Sequence, residues 1–359
     1  MTARAFFRLP YADSYCAVEQ LSGSPARLAS VAGAGGRSGF IIAPFDATEA
    51  EPVLLLRPDR VEWRPVEAET AVASRLPRPE ADAAAERKAY AADFARCHRQ
   101  LVAGRFLKLV LARRSVERMA RRVAPEQLFL RACRLYPRMF VALVEAPQCG
   151  TWLAATPELL LGGDGGRWHT VALAGTMRLE GGALGFDCPP SPAGPASDAM
   201  SWSAKNRLEQ RLVADYIGSV LRPFAADVSR KAARTVRAGD IVHLRSDFDF
   251  ALAPGKSGGE LADALHPTPA VCGLPKDAAR SFILAAEHSP RSYYSGFMGP
   301  LGLGGATHLF VTLRCMRIDG RECGLYAGGG LLPDSVEEQE WRETEAKMDT
   351  MRRVIGDAI

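Results

Sequence analysis

Short apolar segments separated by turn residues follow one another through the first half of the chain, and this pattern constrains the fold most strongly. Residues 39–58 contain GFIIAPF and PVLLLRP, two apolar segments with a turn between them, which predicts two strands. Further strands are predicted in the same way at 106–113, 139–145, 151–161 and 168–178. Because strands outnumber helices in this half, we predict a strand-rich α/β chain.

Helix-favouring segments alternate with these strands. Helices are predicted at 81–103, 125–135, 203–224, 258–265 and 275–287, with a last helix beginning near Asp334 or Ser335 and another strand at 240–245. Residues 181–201 are rich in Gly, Pro, Ser and Ala, which is typical of a surface loop. We interpret this segment as a loop within one domain over residues 1–359, because candidate site residues lie on both sides of it.

Composition and charge argue against several classes of protein. The formal net charge is +4 over 359 residues, with Lys and Arg scattered among acidic residues, so nucleic-acid binding is not expected. No long apolar run occurs and the N-terminal residues lack a signal-like segment, so we expect a cytoplasmic protein without membrane contact. The eight cysteines form no CxxC pair and the six histidines form no HExxH motif, which favours reduced thiols and argues against a zinc site.

The C-terminal stretch from His308 to Lys347 combines features that suit an organic anion beside a cation. Alternation over residues 309–316 predicts a strand on which Arg314 lies among apolar neighbours, where a guanidinium needs an anionic partner. A second strand at 323–327 runs into Gly328, Gly329 and Gly330, which we interpret as a glycine turn, either flexible or approached closely by a ligand.

Two ionisable residues lie in strongly apolar segments. Lys108 stands in FLKLVLARR; an inward-facing amine there would favour its neutral form and act as a general base, whereas an edge-strand lysine would face water. Glu158 stands in TWLAATPELLLGG, where apolar surroundings should raise the pKa of its carboxyl group and suit it to act as a general acid. The two residues form a candidate base and acid.

Three carboxylates form a candidate metal site. Glu340 and Glu343 share a face of the last helix with Lys347, and Glu209 lies on the core side of the helix at 203–224. Three carboxylates without histidine suit Mg²⁺. The alternative is a solvated acidic face, with Glu209 paired to Lys205 on its own helix.

Ten short motifs in this order resemble the chorismate-utilising enzymes, most closely the isochorismate synthases of menaquinone type. They are KLVLAR, TPELLL, LAGT, SAKNRLEQ, VHL, HPTPAVCGLPK, YYSGFMGP, LFVTLRC, YAGGG and EWRETEAK. The resemblance covers residues 105–355, the expected catalytic core, and residues 1–100 are less diagnostic. It implies one large α/β domain built from two facing, mostly antiparallel sheets with helices outside.

The resemblance also implies a reaction and its residues. Chorismate would become isochorismate in a Mg²⁺-dependent isomerisation, in which Lys108 activates water for attack at C2 and Glu158 protonates the departing C4 hydroxyl. Glu209, Glu340 and Glu343 match the metal positions. The residues that match substrate-binding or pocket-lining positions are Gly175, Thr176, His243, Ala270, Arg314, Tyr326, Gly328 and Lys347.

Two departures from the family pattern and several alternatives remain. Asn206 and Gln210 stand where the helix motif usually carries an acid and a histidine, so weaker Mg²⁺ binding is expected.

Salicylate synthase is the first alternative function; an ammonia-using anthranilate or aminodeoxychorismate synthase and a non-catalytic chorismate-binding homologue are others. PTPAVCG resembles the water-using members, so no glutaminase partner is expected. Menaquinone and siderophore biosynthesis both remain open as pathways.

Overall fold

Two antiparallel β-sheets dominate the computed structural model, which describes residues 2–67, 74–164, 166–179, 201–238 and 241–357. The predicted surface loop at 181–201 lies outside these residues except for Ser201. Every strand pairing within the described ranges is antiparallel. The predicted fold class is therefore confirmed, with helices on the outer faces of two facing sheets.

Sheet A contains nine of the described strands. In chain order they are Ala3–Arg8 (β1), Ser14–Gln20 (β2), Arg60–Pro65 (β6), Lys108–Arg118 (β7), Phe140–Ala146 (β8), Gly150–Thr156 (β9), Gly273–Leu274 (β15), Cys315–Asp319 (β18) and Glu322–Leu331 (β19). They lie side by side in the order β15, β7, β19, β18, β9, β8, β1, β2, β6. The candidate base therefore begins β7, next to the glycine-rich end of β19.

Sheet B contains ten of the described strands. They are Ala26–Leu28 (β3), Gly39–Ala43 (β4), Val53–Leu56 (β5), Leu159–Asp164 (β10), Arg167–Arg178 (β11), Ala225–Arg230 (β12), Arg234–Ala238 (β13), Ile241–Leu252 (β14), Phe297–Leu301 (β16) and Thr307–Val311 (β17). Their order is β12, β14, β11, β10, β17, β16, β4, β5, β3, and β13 also pairs with β14. The central strands of this sheet thus come from the catalytic core predicted from the motifs.

Six helices cover the outer faces within the described ranges. They are Glu80–Val102 (α1), Pro125–Leu135 (α2), Ala204–Leu221 (α3), Gly258–Leu265 (α4), Lys276–Ala286 (α5) and Glu337–Ile355 (α6). Helices α2 and α6 pack on sheet A, and α3 and α4 pack on sheet B. Ser203 caps α3 by accepting a hydrogen bond from the Asn206 backbone N–H at 3.1 Å, which fixes the start of the helix that carries Glu209.

The core between the sheets is aromatic and tightly stacked. Phe140 of sheet A and Phe310 of sheet B stack with ring centroids 4.2 Å apart and planes 2° from parallel. Both rings are buried, as is Trp152 nearby. Rings of this size contribute much of the apolar area that a facing pair of sheets can bury. Each described cysteine is free and buried, in line with the expected reduced thiols.

Several predicted elements differ from the structure. Residues 151–161 form two strands, β9 in sheet A and β10 in sheet B, because the chain crosses between the sheets at Pro157 and Glu158. Residues 309–316 likewise divide between β17 and β18, and Arg314 lies in the crossing with φ +46°, not on a strand. Strands β1, β2, β3, β6, β12, β13 and β15 were not predicted. Apolar residues stand on both sides of each crossing, so periodicity alone did not reveal them.

Two further corrections concern the C-terminal stretch. Gly328, Gly329 and Gly330 do not form a turn: they lie within β19 and pair with Ala112, Leu111 and Val110 of β7. Helix α6 begins at Glu337 after Val336, not at Asp334 or Ser335. The Ser335 hydroxyl instead accepts a hydrogen bond from the Leu332 backbone N–H at 3.0 Å, which fixes the turn before the helix.

Candidate active site

A cavity opens where the chain twice crosses from one sheet to the other. It encloses about 610 Å³ including its mouth, and both crossings, Pro157–Glu158 and Leu313–Arg314, form part of its wall. All residues predicted to bind substrate line it, namely Gly175, Thr176, His243, Ala270, Arg314, Tyr326, Gly328 and Lys347. Residues distant in sequence thus meet at one site between the sheets.

Lys108 faces inward and is fully buried at the start of β7. Its Nζ lies 2.9 Å from Oε1 of Glu209, a residue of α3. The contact is an ion pair, but within the described ranges no acceptor is aligned with the Lys108 N–H groups for a hydrogen bond. The edge-strand alternative is wrong for this lysine, and so is the Lys205–Glu209 surface pair.

Each of the three candidate metal-binding carboxylates contacts a different lysine. Glu209 pairs with Lys108, Glu340 pairs with Lys205 of α3, and Glu343 pairs with Lys347 at 2.7 Å. Burial and then the charge of Glu343 raise the pKa of Glu340, against the opposing effect of Lys205. Burial alone would raise the pKa of Glu209, but Lys108 above all holds it below its ordinary value. The carboxylates are therefore neutralised internally.

Glycines in β19 make room for these carboxylates. A Cβ at Gly330 would stand 2.1 Å from Glu209 Oε1 and 3.0 Å from Lys108 Cε. A Cβ at Gly329 would stand 3.1 Å from Glu340 Oε2 and 3.8 Å from Glu343 Oε1. The glycines thus allow carboxylates from α3 and α6 to reach the same stretch of β19.

The carboxylates fit Mg²⁺ in their donor chemistry. They offer only oxygen, and Glu340 Oε2 is buried with no hydrogen-bond partner among the described residues. Across the described ranges, no three His, Cys, Asp or Glu side chains are grouped closely enough to form a ready metal site. A divalent cation held by Glu209, Glu340 and Glu343 would therefore compete with their lysines for these carboxylates.

Glu158 lies in the first crossing and is buried against the cavity. Burial raises the pKa of its carboxyl group to about 8, although Lys108, Lys347 and Arg314 act in the opposite direction. The group is therefore largely protonated at neutral pH, the form in which a carboxyl can donate a proton.

Arg314 lies in the second crossing and is held by two neutral acceptors. Its Nη1 donates to the Ala238 carbonyl at 3.1 Å, and its Nη2 donates to His243 Nε2. Burial lowers the pKa of Arg314 to about 10, so it remains charged at neutral pH. No carboxylate of the described chain pairs with it, so the predicted pairing of Arg314 with an organic anion stays a prediction.

The remaining predicted pocket residues shape the wall. Gly175, with φ +70°, lies at a bulge between Ala174 and Thr176, where β11 bends beside α3. Tyr326 stacks on Tyr294 with centroids 5.5 Å apart, and burial raises the pKa of Tyr326 to about 12. Lys347 Nζ donates to the Gly328 carbonyl at 2.8 Å as well as to Glu343. Its charge thus lies at the boundary between the cavity and the carboxylates.

Sequence reasoning gave no role to several residues that build the site. Tyr294 lines the cavity, and its hydroxyl lies 2.8 Å from the Cβ position of Gly328. Lys205 was considered only as a partner of Glu209, yet it pairs with Glu340. The YYSGFMGP motif contains Tyr294 and was a signal that could have indicated it. No signal in the sequence indicated the Lys205–Glu340 pair.

The two departures from the family pattern face away from the carboxylates. Asn206 Nδ2 donates to the Thr176 carbonyl at 3.4 Å. Gln210 is buried, and its Nε2 donates to the Ala172 carbonyl at 3.0 Å. Both side chains thus support β11, and the expectation of weaker Mg²⁺ binding stays a prediction.

The fold thus brings a buried carboxyl group and a buried guanidinium together around one cavity between the sheets. The chain belongs to the chorismate binding enzyme family, whose profile matches residues 45–353. Among the described helices, none has the length and apolar character to cross a membrane.

Curated relatives and solved structures agree with this family. The chain is 37% identical over 209 residues to isochorismate synthase DhbC of Bacillus subtilis, covering 57% of this chain and 50% of that protein. It is 32% identical over 266 residues to the salicylate biosynthesis isochorismate synthase of Pseudomonas aeruginosa, covering 70% and 52%. These alignments span about half the length of either relative.

The solved structures show the same fold. A putative 2,3-dihydroxybenzoate-specific isochorismate synthase, DhbC from Bacillus anthracis, superposes with a TM-score of 0.79 at 23% identity, covering 99% of this chain and 96% of that one. MenF, the menaquinone-specific isochorismate synthase from Escherichia coli, superposes with a TM-score of 0.79 at 21% identity, covering 98% and 88%. At these identities the likeness concerns the fold.

Proposed function

We propose that this protein is an isochorismate synthase, which isomerises chorismate to isochorismate with Mg²⁺ and water. One observation carries the proposal: the buried Glu158, with a pKa of about 8, lines a cavity together with Glu209, whose carboxylate contacts Lys108, and with Arg314, which has no carboxylate partner in the described chain. The names of the relatives and structural neighbours support the same reaction. A single domain with its core in residues 105–355 would carry out the reaction.

Substrate binding uses positive charge on two sides of the cavity. Chorismate carries two carboxylates, and Arg314 presents N–H donors to one of them. Glu209, Glu340 and Glu343 would hold Mg²⁺, which, when bound, supplies positive charge beside the other carboxylate. Tyr326 and Gly328 line the same cavity. The ring would then be held with its reacting carbons toward Glu158.

The chemical step needs a proton removed from the water that attacks the ring and a proton delivered to the hydroxyl group that leaves it. Lys108, in its neutral amine form, takes a proton from water as the water oxygen bonds to C2, and Glu158 gives its proton to the C4 hydroxyl as the C4–O bond breaks. The two ring double bonds each move by one position, and one water enters as another leaves. The protons balance when Lys108 returns its proton to Glu158 through solvent.

Water as nucleophile requires no glutaminase partner, and none is proposed. Incubating the purified protein with chorismate and MgCl₂, then separating the products by liquid chromatography, tests the proposal. Isochorismate as the main product supports it. Salicylate with pyruvate would assign salicylate synthase instead, and unchanged chorismate with intact protein would reject the enzyme reading.

A further inference from the structure

The contacts of Arg314 differ from those of Arg291, another of the buried arginines in the described ranges. Arg291 forms two hydrogen bonds to one carboxylate, with its Nε 2.7 Å from Glu287 Oε2 and its Nη2 2.6 Å from Glu287 Oε1. Arg314 is equally buried but has only the Ala238 carbonyl and the His243 imidazole as acceptors in the described chain. Two buried arginines in one protein are thus held in two different ways.

The hydrogen bonds of His243 determine which of its ring nitrogens carries the proton. Nδ1 lies 3.0 Å from the Gly175 carbonyl and 3.3 Å from the Thr176 hydroxyl. A carbonyl oxygen only accepts, so we assign the proton to Nδ1. Nε2 then carries a lone pair, and this lone pair accepts from Arg314 Nη2.

The neutral state of His243 has a physical cause in the same surroundings. The side chain is buried, and the titratable and charged groups facing it are Arg314 and Lys347. Burial first, and these positive charges second, hold the pKa of His243 well below its ordinary value. The imidazole therefore keeps its acceptor at neutral pH.

We infer that His243 is a positioning residue that orients the Arg314 guanidinium through its neutral Nε2 acceptor without cancelling the charge. This inference deepens the proposed function by explaining how the carboxylate-binding arginine is held. A carboxylate in place of His243 would orient the guanidinium equally well, but it would also neutralise it, as Glu287 does for Arg291. An imidazole leaves the whole charge for a substrate carboxylate.

Two substitutions separate the acceptor from the bulk of the ring. In His243→Gln the amide oxygen can reach the place of Nε2, so it can still accept from Arg314. In His243→Asn the amide reaches only the place of Nδ1, so the contact with Gly175 can remain while the contact with Arg314 is lost. Both variants are of similar polarity, and thermal unfolding checks that both are folded.

Chorismate binding and turnover give the first measurement. We expect His243→Asn to raise KM and the chorismate Kd by about 10- to 100-fold, with a smaller effect on kcat, as for outer residues that orient a binding group. His243→Gln should retain most of the affinity. Equal losses of affinity in the two variants would overturn the inference, because loss of the ring would then matter and loss of the acceptor would not.

A double-mutant cycle with Arg314→Met tests whether His243 acts through Arg314. In the Arg314→Met background, His243→Asn should produce little further loss of affinity, since the group it positions is gone. An undiminished effect there would also overturn the inference.

Benzoate, a small carboxylate that is not a substrate, keeps this test independent of the proposed function. Its Kd should rise in His243→Asn and not in His243→Gln, whether or not the protein turns over chorismate. If benzoate shows this pattern while chorismate does not bind, the proposed function fails and the inference stands. If wild type and His243→Asn bind benzoate equally, the inference fails.

Discussion

Lys108 Nζ and Glu209 Oε1 lie 2.9 Å apart, so the candidate base and a candidate metal ligand share one ion pair. A cation bound by Glu209 would compete with Lys108 for the negative charge of this carboxylate. Cation binding and release of the buried amine would therefore be linked through one carboxylate. The link was not visible in the sequence, where the two residues are a hundred positions apart.

Replacing Lys108 by methionine tests both roles of the pair. We expect kcat to fall by about 10²- to 10⁴-fold, since a positioned acid or base typically contributes that much. We also expect Mg²⁺ to bind more tightly, because Glu209 loses its internal cation. Steady-state kinetics and calorimetric titration with MgCl₂ measure the two effects. Lys231→Met, which breaks the exposed Lys231–Asp249 pair, is a control that should change neither kcat nor the affinity for Mg²⁺. Near-normal kcat in Lys108→Met would remove the base assignment.

The pKa of Glu158 predicts how activity depends on pH. Burial raises it to about 8, and the protonated form is the acid. Activity should therefore be retained below this pH and fall about tenfold per unit above it, as the proton is lost. A profile of kcat/KM against pH from 6 to 10 checks this, with unfolding monitored in the same buffers. A kcat/KM that still rises above pH 9 would contradict the role of Glu158.

The same burial predicts a stability gain in Glu158→Gln. The folded pKa of about 8 lies above the ordinary value of 4.5, so the unfolded chain loses its proton first as pH rises. The folded state therefore loses about 1.4 kcal/mol of stability per pH unit between these two values, and the loss is absent below them. Glutamine cannot ionise and avoids this loss. Urea unfolding at pH 4 and pH 8 should show the variant more stable at pH 8 only, while its turnover is largely lost. Equal stability of wild type and variant at pH 8 would refute the raised pKa.

The substitution Gly330→Ala tests whether activity needs the close packing of the Glu209 carboxylate on β19. A methyl group at this position would stand 2.1 Å from Glu209 Oε1, so Gly330→Ala must displace the carboxylate and disturb its pair with Lys108. We expect kcat/KM to fall at least about tenfold, equivalent to about 1.4 kcal/mol. Gly324→Ala on the same strand is a matched control, because its methyl group meets only the end of the exposed Arg114 side chain. Similar activities of the two variants would show that the site does not need this close approach.

Part of the site was predictable from the sequence because ionisable residues stand in apolar segments, where burial of a charge is unfavourable unless the residue has a partner or a function. Lys108 and Glu158 stood out for this reason, and the structure buries both. The position of Arg314 was not predictable, because apolar residues stand on both sides of it although the chain leaves one sheet for the other there. Pro157 was a local sign of the first crossing that periodicity obscured.

The partners of the charged residues depend on tertiary packing and lay beyond sequence reasoning. Lys205 and Glu209 are four residues apart on α3, and spacing favoured a pair between them. Instead, Lys205 contacts Glu340 of α6 and Glu209 contacts Lys108 of β7. Spacing along a helix shows which side chains of that helix are close to one another. Which ion pair forms depends also on the residues of the sheet and helix packed against it.

Conversion of chorismate in water enriched in oxygen-18 tests the central claim most directly. If Lys108 activates water for attack at C2 while Glu158 releases the C4 hydroxyl, each isochorismate molecule formed should carry one labelled oxygen at C2, detected by mass spectrometry. Isochorismate without the label would mean that the hydroxyl moves within the molecule, and would contradict the assigned roles of both residues.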